Sequence, residues 1–153
     1  MNDTQVFNVV AIGHLIMLSM WGGVVATEAV VEIYPFKKRE FAEATSAFHY
    51  WIDLLVELPL VLAVIATGIG LVYLSDQITR LHIVKIGFGS LAIGVNLFCI
   101  AVVLRRDRRR LAGAPSGQLR KASLVVLVCF AVGLLCAAAA AVLGFSLGLT
   151  RVG

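Results

Sequence analysis

Four long apolar tracts separated by short polar connectors organise the chain: about Val6–Ile33, His49–Leu74, Leu81–Leu104 and Ser123–Leu149. Each exceeds the roughly 20 residues an α-helix needs to cross a bilayer, and each is too long for the core of a cleavable secretory signal. The pattern predicts an all-α fold, an integral membrane four-helix bundle forming a single transmembrane domain over residues 1–153, with the first tract retained as a span and no internal repeat. Tyr34-Pro35 is expected to end the first helix, because proline lacks the N–H that continues the ladder. Phe41, Ala44 and Phe48 recur at helical spacing opposite Lys38, Arg39 and Glu43, so Phe36–Phe48 reads as an amphipathic interfacial turn leading into the second helix.

Polar residues inside the tracts alter this bland picture. His49, Asp53 and Glu57 follow one another at i, i+4 and form one stripe that enters the membrane. In the first tract His14, Trp21, Glu28 and Glu32 share a narrow arc, since separations of 7, 14 and 18 residues are close to whole numbers of turns. Gly22 and Gly23 beside Trp21 allow close approach of a helix or a flat ligand. Pro59 follows Glu57 by two residues, leaves the carbonyl of Leu55 without its donor and is expected to kink the helix. The third tract carries His82, Lys85, Gly89 and Asn96 on one broad face. Lys85 can snorkel to the surface, whereas Asn96 lies deep and needs an interhelical partner. The fourth tract has no ionisable residue, and its Gly144 and Gly148 offer a GxxxG face for packing or for a homo-oligomer.

The composition agrees: 60% of the 153 residues are hydrophobic, 14% are charged and the mean hydropathy is +0.96, far from the balance of a soluble domain. The net charge of +4 is not a nucleic-acid signal, because the cations are sorted by membrane side. Ten of the 13 Lys and Arg residues lie in two connectors: Lys37, Lys38 and Arg39, then Arg105, Arg106, Arg108, Arg109, Arg110, Arg120 and Lys121. The positive-inside rule makes both connectors cytoplasmic and puts the N and C termini on the non-cytoplasmic side of a cell membrane, a bacterial inner membrane or its equivalent. The second connector, with Gly113-Ala-Pro-Ser-Gly117, reads as a flexible loop. Cys99, Cys129 and Cys136 have no CxxC spacing and read as core residues.

Antiparallel first and second helices joined at the cytoplasmic side bring the acidic residues together. At about 1.5 Å per residue, Glu28 lies roughly 7 Å inside Ile33, and Asp53 and Glu57 lie roughly 6 and 12 Å inside His49. Glu28, Glu32, His49, Asp53 and Glu57 therefore share one depth zone, and four carboxylates cannot all stay charged there unless protons or metal cations neutralise them. Glu, Asp and His from facing helices make up carboxylate metal sites in bundles, and such a set suits iron, manganese or zinc better than copper(I). Two Glu-x-x-His motifs, the usual di-metal signature, are absent. The same residues could instead relay protons, with Glu57 as the deepest carboxyl. Glu32 and His49 could also be merely solvated interfacial groups, with Asp53 paired to a Lys or Arg.

A second candidate lies in the outer half, where His14 and His82 on facing helices could hold haem b axially. A lone membrane histidine more often only bonds across helices. Apolar helices around a flat cleft would also suit a quinone.

His14-Leu-Ile-Met-Leu-Ser-Met-Trp21-Gly22-Gly23, the Leu60–Gly70 stretch with Ala66-Thr67-Gly68, and Leu81-His82-Ile-Val-Lys85-Ile followed by Asn96 and Arg105-Arg106 resemble the HemJ/CopD-like group of small multi-span membrane proteins. Members of that group are associated with haem or copper, and HemJ acts in protoporphyrinogen oxidation. The resemblance implies His14 as a haem ligand and Lys85 as a nearby functional lysine. Where HemJ carries a Tyr-Leu-Pro-Arg-type segment, this chain has Val24–Glu32, with Glu28 and Glu32 in its place.

These readings lead to the expectation of a metal- or haem-binding membrane protein serving redox chemistry, possibly an oxidoreductase, with a carboxylate–His site between the first two helices and a quinone or other redox partner. A proton- or metal-coupled transporter and a non-catalytic subunit of a larger membrane complex are the alternatives.

Overall fold

The computed structural model describes residues 2–38, 40–75 and 77–149, with side chains up to Gly144. Arg39 and the surroundings of Gly148 lie outside the described residues and side chains. The described chain is all-helical. Helix α1 spans Asp3–Lys37, α2 Phe41–Ile52, α3 Leu58–Tyr73, α4 Arg80–Leu111 and α5 Ser116–Leu149, and a π-helical turn, Asp53–Glu57, joins α2 to α3. Counting α2, the π turn and α3 as one rod, four helices are long and apolar enough to cross a membrane. They run up and down with short connections. One end of the bundle, the basic end, holds the α1–α2 and α4–α5 connections, and the other holds the N-terminus and the α3–α4 connection.

The helices start where local chemistry supplies partners for their first N–H groups. Asn2 caps α1 by accepting from the Gln5 N–H at 2.9 Å, and the Gln5 side chain accepts from the Asn2 N–H at 3.1 Å. At the start of α4, His82 Nδ1 accepts from the Thr79 N–H at 3.2 Å. Gly113, at φ +76°, takes the left-handed conformation that ends α4.

Three expectations about boundaries are corrected. Pro35 does not end α1: it is buried within the helix, which runs on to Lys37, and the Lys38 N–H closes on the Tyr34 carbonyl at 2.9 Å. So near a terminus, the missing proline N–H costs one bond and not the helix. Phe36–Phe48 is not a separate interfacial turn, because α2 begins at Phe41 and continues into the second span. Phe41, Ala44 and Phe48 face outward on it, while Ala42, Thr45, Ser46 and His49 are buried. Finally, the arginine run Arg105–Arg110 is not loop. It forms the last turns of α4, leaving only residues 112–115 between helices.

The bundle is built with apolar residues outward. Ile12, Leu15, Ile16, Leu55, Leu62, Ile83, Leu135 and many other large apolar side chains are exposed, which suits a lipid surrounding. The inside has two layers. A core of Trp21, Leu60, Val61, Ala92 and Cys136 joins α1, α3, α4 and α5. Toward the basic end the buried set becomes largely polar, with Glu28, Glu32, Ser46, His49, Asp53, Glu57, Arg106 and Ser123 packed among Ala42, Val103 and Leu119.

Candidate functional site

Each helix delivers its part of this polar layer through its own periodicity. On α1 the buried positions are Trp21, Glu28, Ala29, Glu32 and Pro35, the stripe expected from their spacing. On the second rod the π turn maintains the stripe. In an α-helix four residues overshoot a full turn by about 40°, so His49, Asp53 and Glu57 would drift around the rod. The wider π turn, marked by the Leu58 N–H bonding to the Asp53 carbonyl five residues back, removes that overshoot over Asp53–Glu57. Pro59 lies just after this turn, where in a regular α-helix its ring would press on the Leu55 carbonyl.

His49 is at the centre, 2% exposed, with three carboxylates around it. Its Nδ1 bonds to Glu32 Oε1. Its Nε2 faces Asp53 Oδ1 at 3.2 Å and Glu28 Oε2 at 3.6 Å. Glu32 is in turn gripped by Arg106, whose Nη1 lies 2.8 Å from Oε2 and whose Nη2 lies 2.6 Å from Oε1. Arg106 Nη1 also donates to Ser123 Oγ at 3.0 Å. One turn deeper, Glu57 Oε1 accepts from Trp21 Nε1 at 3.2 Å and from the Asn96 amide.

All of these groups are withdrawn from the surface, and several oxygens are left over. Glu28 Oε1 and Asp53 Oδ2 are buried without a hydrogen-bond partner among the described residues, as is Asn96 Oδ1. Unpaired buried acceptors are costly. Were Glu28, Glu32, Asp53 and Glu57 all ionised, the Arg106 guanidinium and an imidazolium at His49 together would still leave two negative charges uncompensated.

One atom each from Glu28, His49 and Asp53 lie within 4.8 Å of one another. The separations of His49 Nε2 from the two carboxylates, 3.2 and 3.6 Å, are ones that two N/O ligands bonded to one ion at about 2.0–2.2 Å can take. Of the five residues expected to ligate, the structure thus groups Glu28, His49 and Asp53 around one point. It assigns Glu32 to the far side of the imidazole and Glu57 to Trp21 and Asn96.

The outer-half residues take different partners. His14 Nδ1 and Thr67 Oγ1 share a 2.8 Å hydrogen bond, and the Thr67 hydroxyl also lies 2.7 Å from the Ala63 carbonyl. The His14 ring packs on Gly68, where an added Cβ would come within 3.4 Å of Cε1. Lys85 lies along Gly144 on α5, whose added Cβ would come within 3.0 Å of Nζ. His82 Nδ1 is turned to Thr79, 2.8 Å from its hydroxyl, at the start of its own helix.

Arg106 and Ser123 are site residues that the sequence reading did not single out. Their signal was available: continuing the buried phase of Asn96 through Ile100 and Val103 at steps of three and four reaches Arg106.

A cleft of about 360 Å³ between α1, α4 and α5 reaches this layer, touching Glu28, His49, Glu57 and Asn96. A second, of about 330 Å³, opens on the other side of α1 and also reaches Glu28. No protein-family model matches the chain, and neither a curated protein nor a solved structure shows significant similarity to it.

Proposed function

We propose that the chain is a membrane-embedded metal-binding protein that holds one divalent ion, iron, manganese or zinc, between Glu28, His49 Nε2 and Asp53. The observation that carries this reading is the arrangement of the imidazole. Nδ1 is held by a carboxylate that is itself fixed by Arg106, while Nε2 faces two carboxylates with unpaired oxygens. A metal-ligating histidine characteristically donates its other N–H to a carboxylate, which fixes tautomer and ring direction. An ion at Nε2 would satisfy the leftover oxygens and offset most of the negative charge, and an all-N/O donor set suits the three metals named. With iron or manganese such a centre would serve redox chemistry.

The basic connectors support a cytoplasmic placement for this end of the bundle and an outer placement for both termini. Haem on His14 is a second cofactor reading. It draws on the hydrogen bond between His14 Nδ1 and Thr67, since a ring that donates its Nδ1–H there would offer Nε2 as the ligating nitrogen. Proton-coupled transport through Asp53 and Glu57 is the reading from another class. Elemental analysis with a visible spectrum separates them: about one equivalent of iron, manganese or zinc without a Soret band supports the carboxylate–His centre. A Soret band lost in His14→Ala supports haem, and neither signal in protein purified without chelator leaves the proton reading.

A further inference from the structure

The larger cleft is elongated and polar at one end only. At about 1.5 Å per residue its wall runs roughly 16 Å along α1, from Leu18 to Ala29, and roughly 22 Å along α5, from Val126 to Ala141. Toward the terminal end it is lined by small apolar side chains such as Ala137, Ala138 and Ala141. Toward the basic end it meets Glu28, His49, Glu57 and Asn96, with the rings of Trp21 and Phe130 also on its wall. Its volume falls in the range of small-molecule sites.

The polar end has a definite hydrogen-bonding sense. Asn96 is 9% exposed; its amide N–H is given to Glu57, while its Oδ1 has no hydrogen-bond partner among the described residues. Trp21 Nε1–H is likewise used by Glu57. Glu28 and His49 line this end as well, and with the Asn96 and Trp21 N–H groups occupied, the side-chain oxygens left without a partner beside the cleft are the acceptors Glu28 Oε1 and Asn96 Oδ1. A head group that fits must bring an O–H, and the aromatic walls favour a flat ring over an aliphatic chain at that level. The apolar remainder suits a hydrocarbon tail.

We infer that this cleft binds a lipid-soluble quinol or phenol, its tail between α1 and α5 and its ring hydroxyl donated to Asn96 Oδ1. The inference goes beyond the metal reading and does not rest on it: Glu28 and His49 border the same cleft, but Asn96, which would receive the hydroxyl, and the α5 wall are not among the proposed ligands.

The test uses purified full-length protein in the Trp51→Phe background, which leaves Trp21 as the sole tryptophan. Anaerobic titration with decylubiquinol is expected to change Trp21 emission saturably at one equivalent. Ala137→Phe, which fills the apolar part of the cleft, is expected to abolish the response while leaving metal content unchanged. Asn96→Leu is expected to weaken binding at least tenfold. Asp53→Asn is expected to lose the metal and keep the quinol response, so failure of either reading is visible separately. A linear, unsaturable response in the parent protein, an unaltered titration in Ala137→Phe, or equal competition by 1-decanol would overturn the inference.

Discussion

At the level of single residues, the imidazole of His49 divides the acidic cluster into two kinds of carboxylate. Glu28 and Asp53 face Nε2 with oxygens to spare, whereas Glu32 is committed to Nδ1 and Arg106. Glu28→Gln is therefore expected to lose metal occupancy. Glu32→Gln is expected to keep stoichiometry at saturating metal but weaken affinity by about 10–100-fold, as loss of an orienting partner does; competition against a chromophoric chelator distinguishes the two. Arg106→Leu leaves the Glu32 charge buried without its partner, which is expected to cost about 3–5 kcal/mol of stability. Denaturation in detergent measures this, and the double variant Glu32→Leu/Arg106→Leu is expected to recover most of the loss. Glu28, His49, Asp53 and Glu57 were legible because ionisable residues at helical spacing inside apolar tracts have few bland explanations. Arg106 was hidden because it stands in a run of arginines, and a charge run reads as connector until its neighbours are known to be helical.

At the level of elements, the second rod is the least regular and the most informative. Pro59 signalled a disturbance beside the carboxylates, but its form, a widened turn over Asp53–Glu57 with no break, depends on how neighbouring helices pack and is not written in the local sequence. The turn holds Glu57 on the same face as His49, within reach of Trp21 and Asn96. Pro59→Ala restores an N–H and removes the ring clash with the Leu55 carbonyl, so the segment is expected to relax toward α geometry and rotate Glu57 away. In the Trp51→Phe background this predicts a shifted Trp21 emission. An unshifted spectrum would show that packing, and not the proline, sets the turn. The faces of α2 have an equally plain cause: a bundle whose outside is apolar turns Phe41 and Phe48 outward and Thr45, Ser46 and His49 in.

At the level of the whole molecule, the fold class and the number of helices followed from tract length and composition, and the helices extend beyond the apolar tracts at several ends because polar residues continue them into the connector regions. The shared depth of the first two helices followed from their antiparallel connection; what tract length did not supply was that α4 and α5 bring Arg106 and Ser123 to the same polar layer at the basic end. The proposed orientation predicts that a membrane-impermeant maleimide added outside intact cells labels Gln77→Cys and not Ala112→Cys. The reverse pattern would place the polar layer near the outer surface.

The most direct test of the metal centre is the metal content of the purified protein, measured side by side for the parent chain, Glu28→Gln and Asp53→Asn. The arrangement around His49 predicts about one equivalent of iron, manganese or zinc in the parent and a marked loss in both variants. Equal metal content in all three, or none in a parent chain purified without chelator and resupplied with these ions, would contradict it.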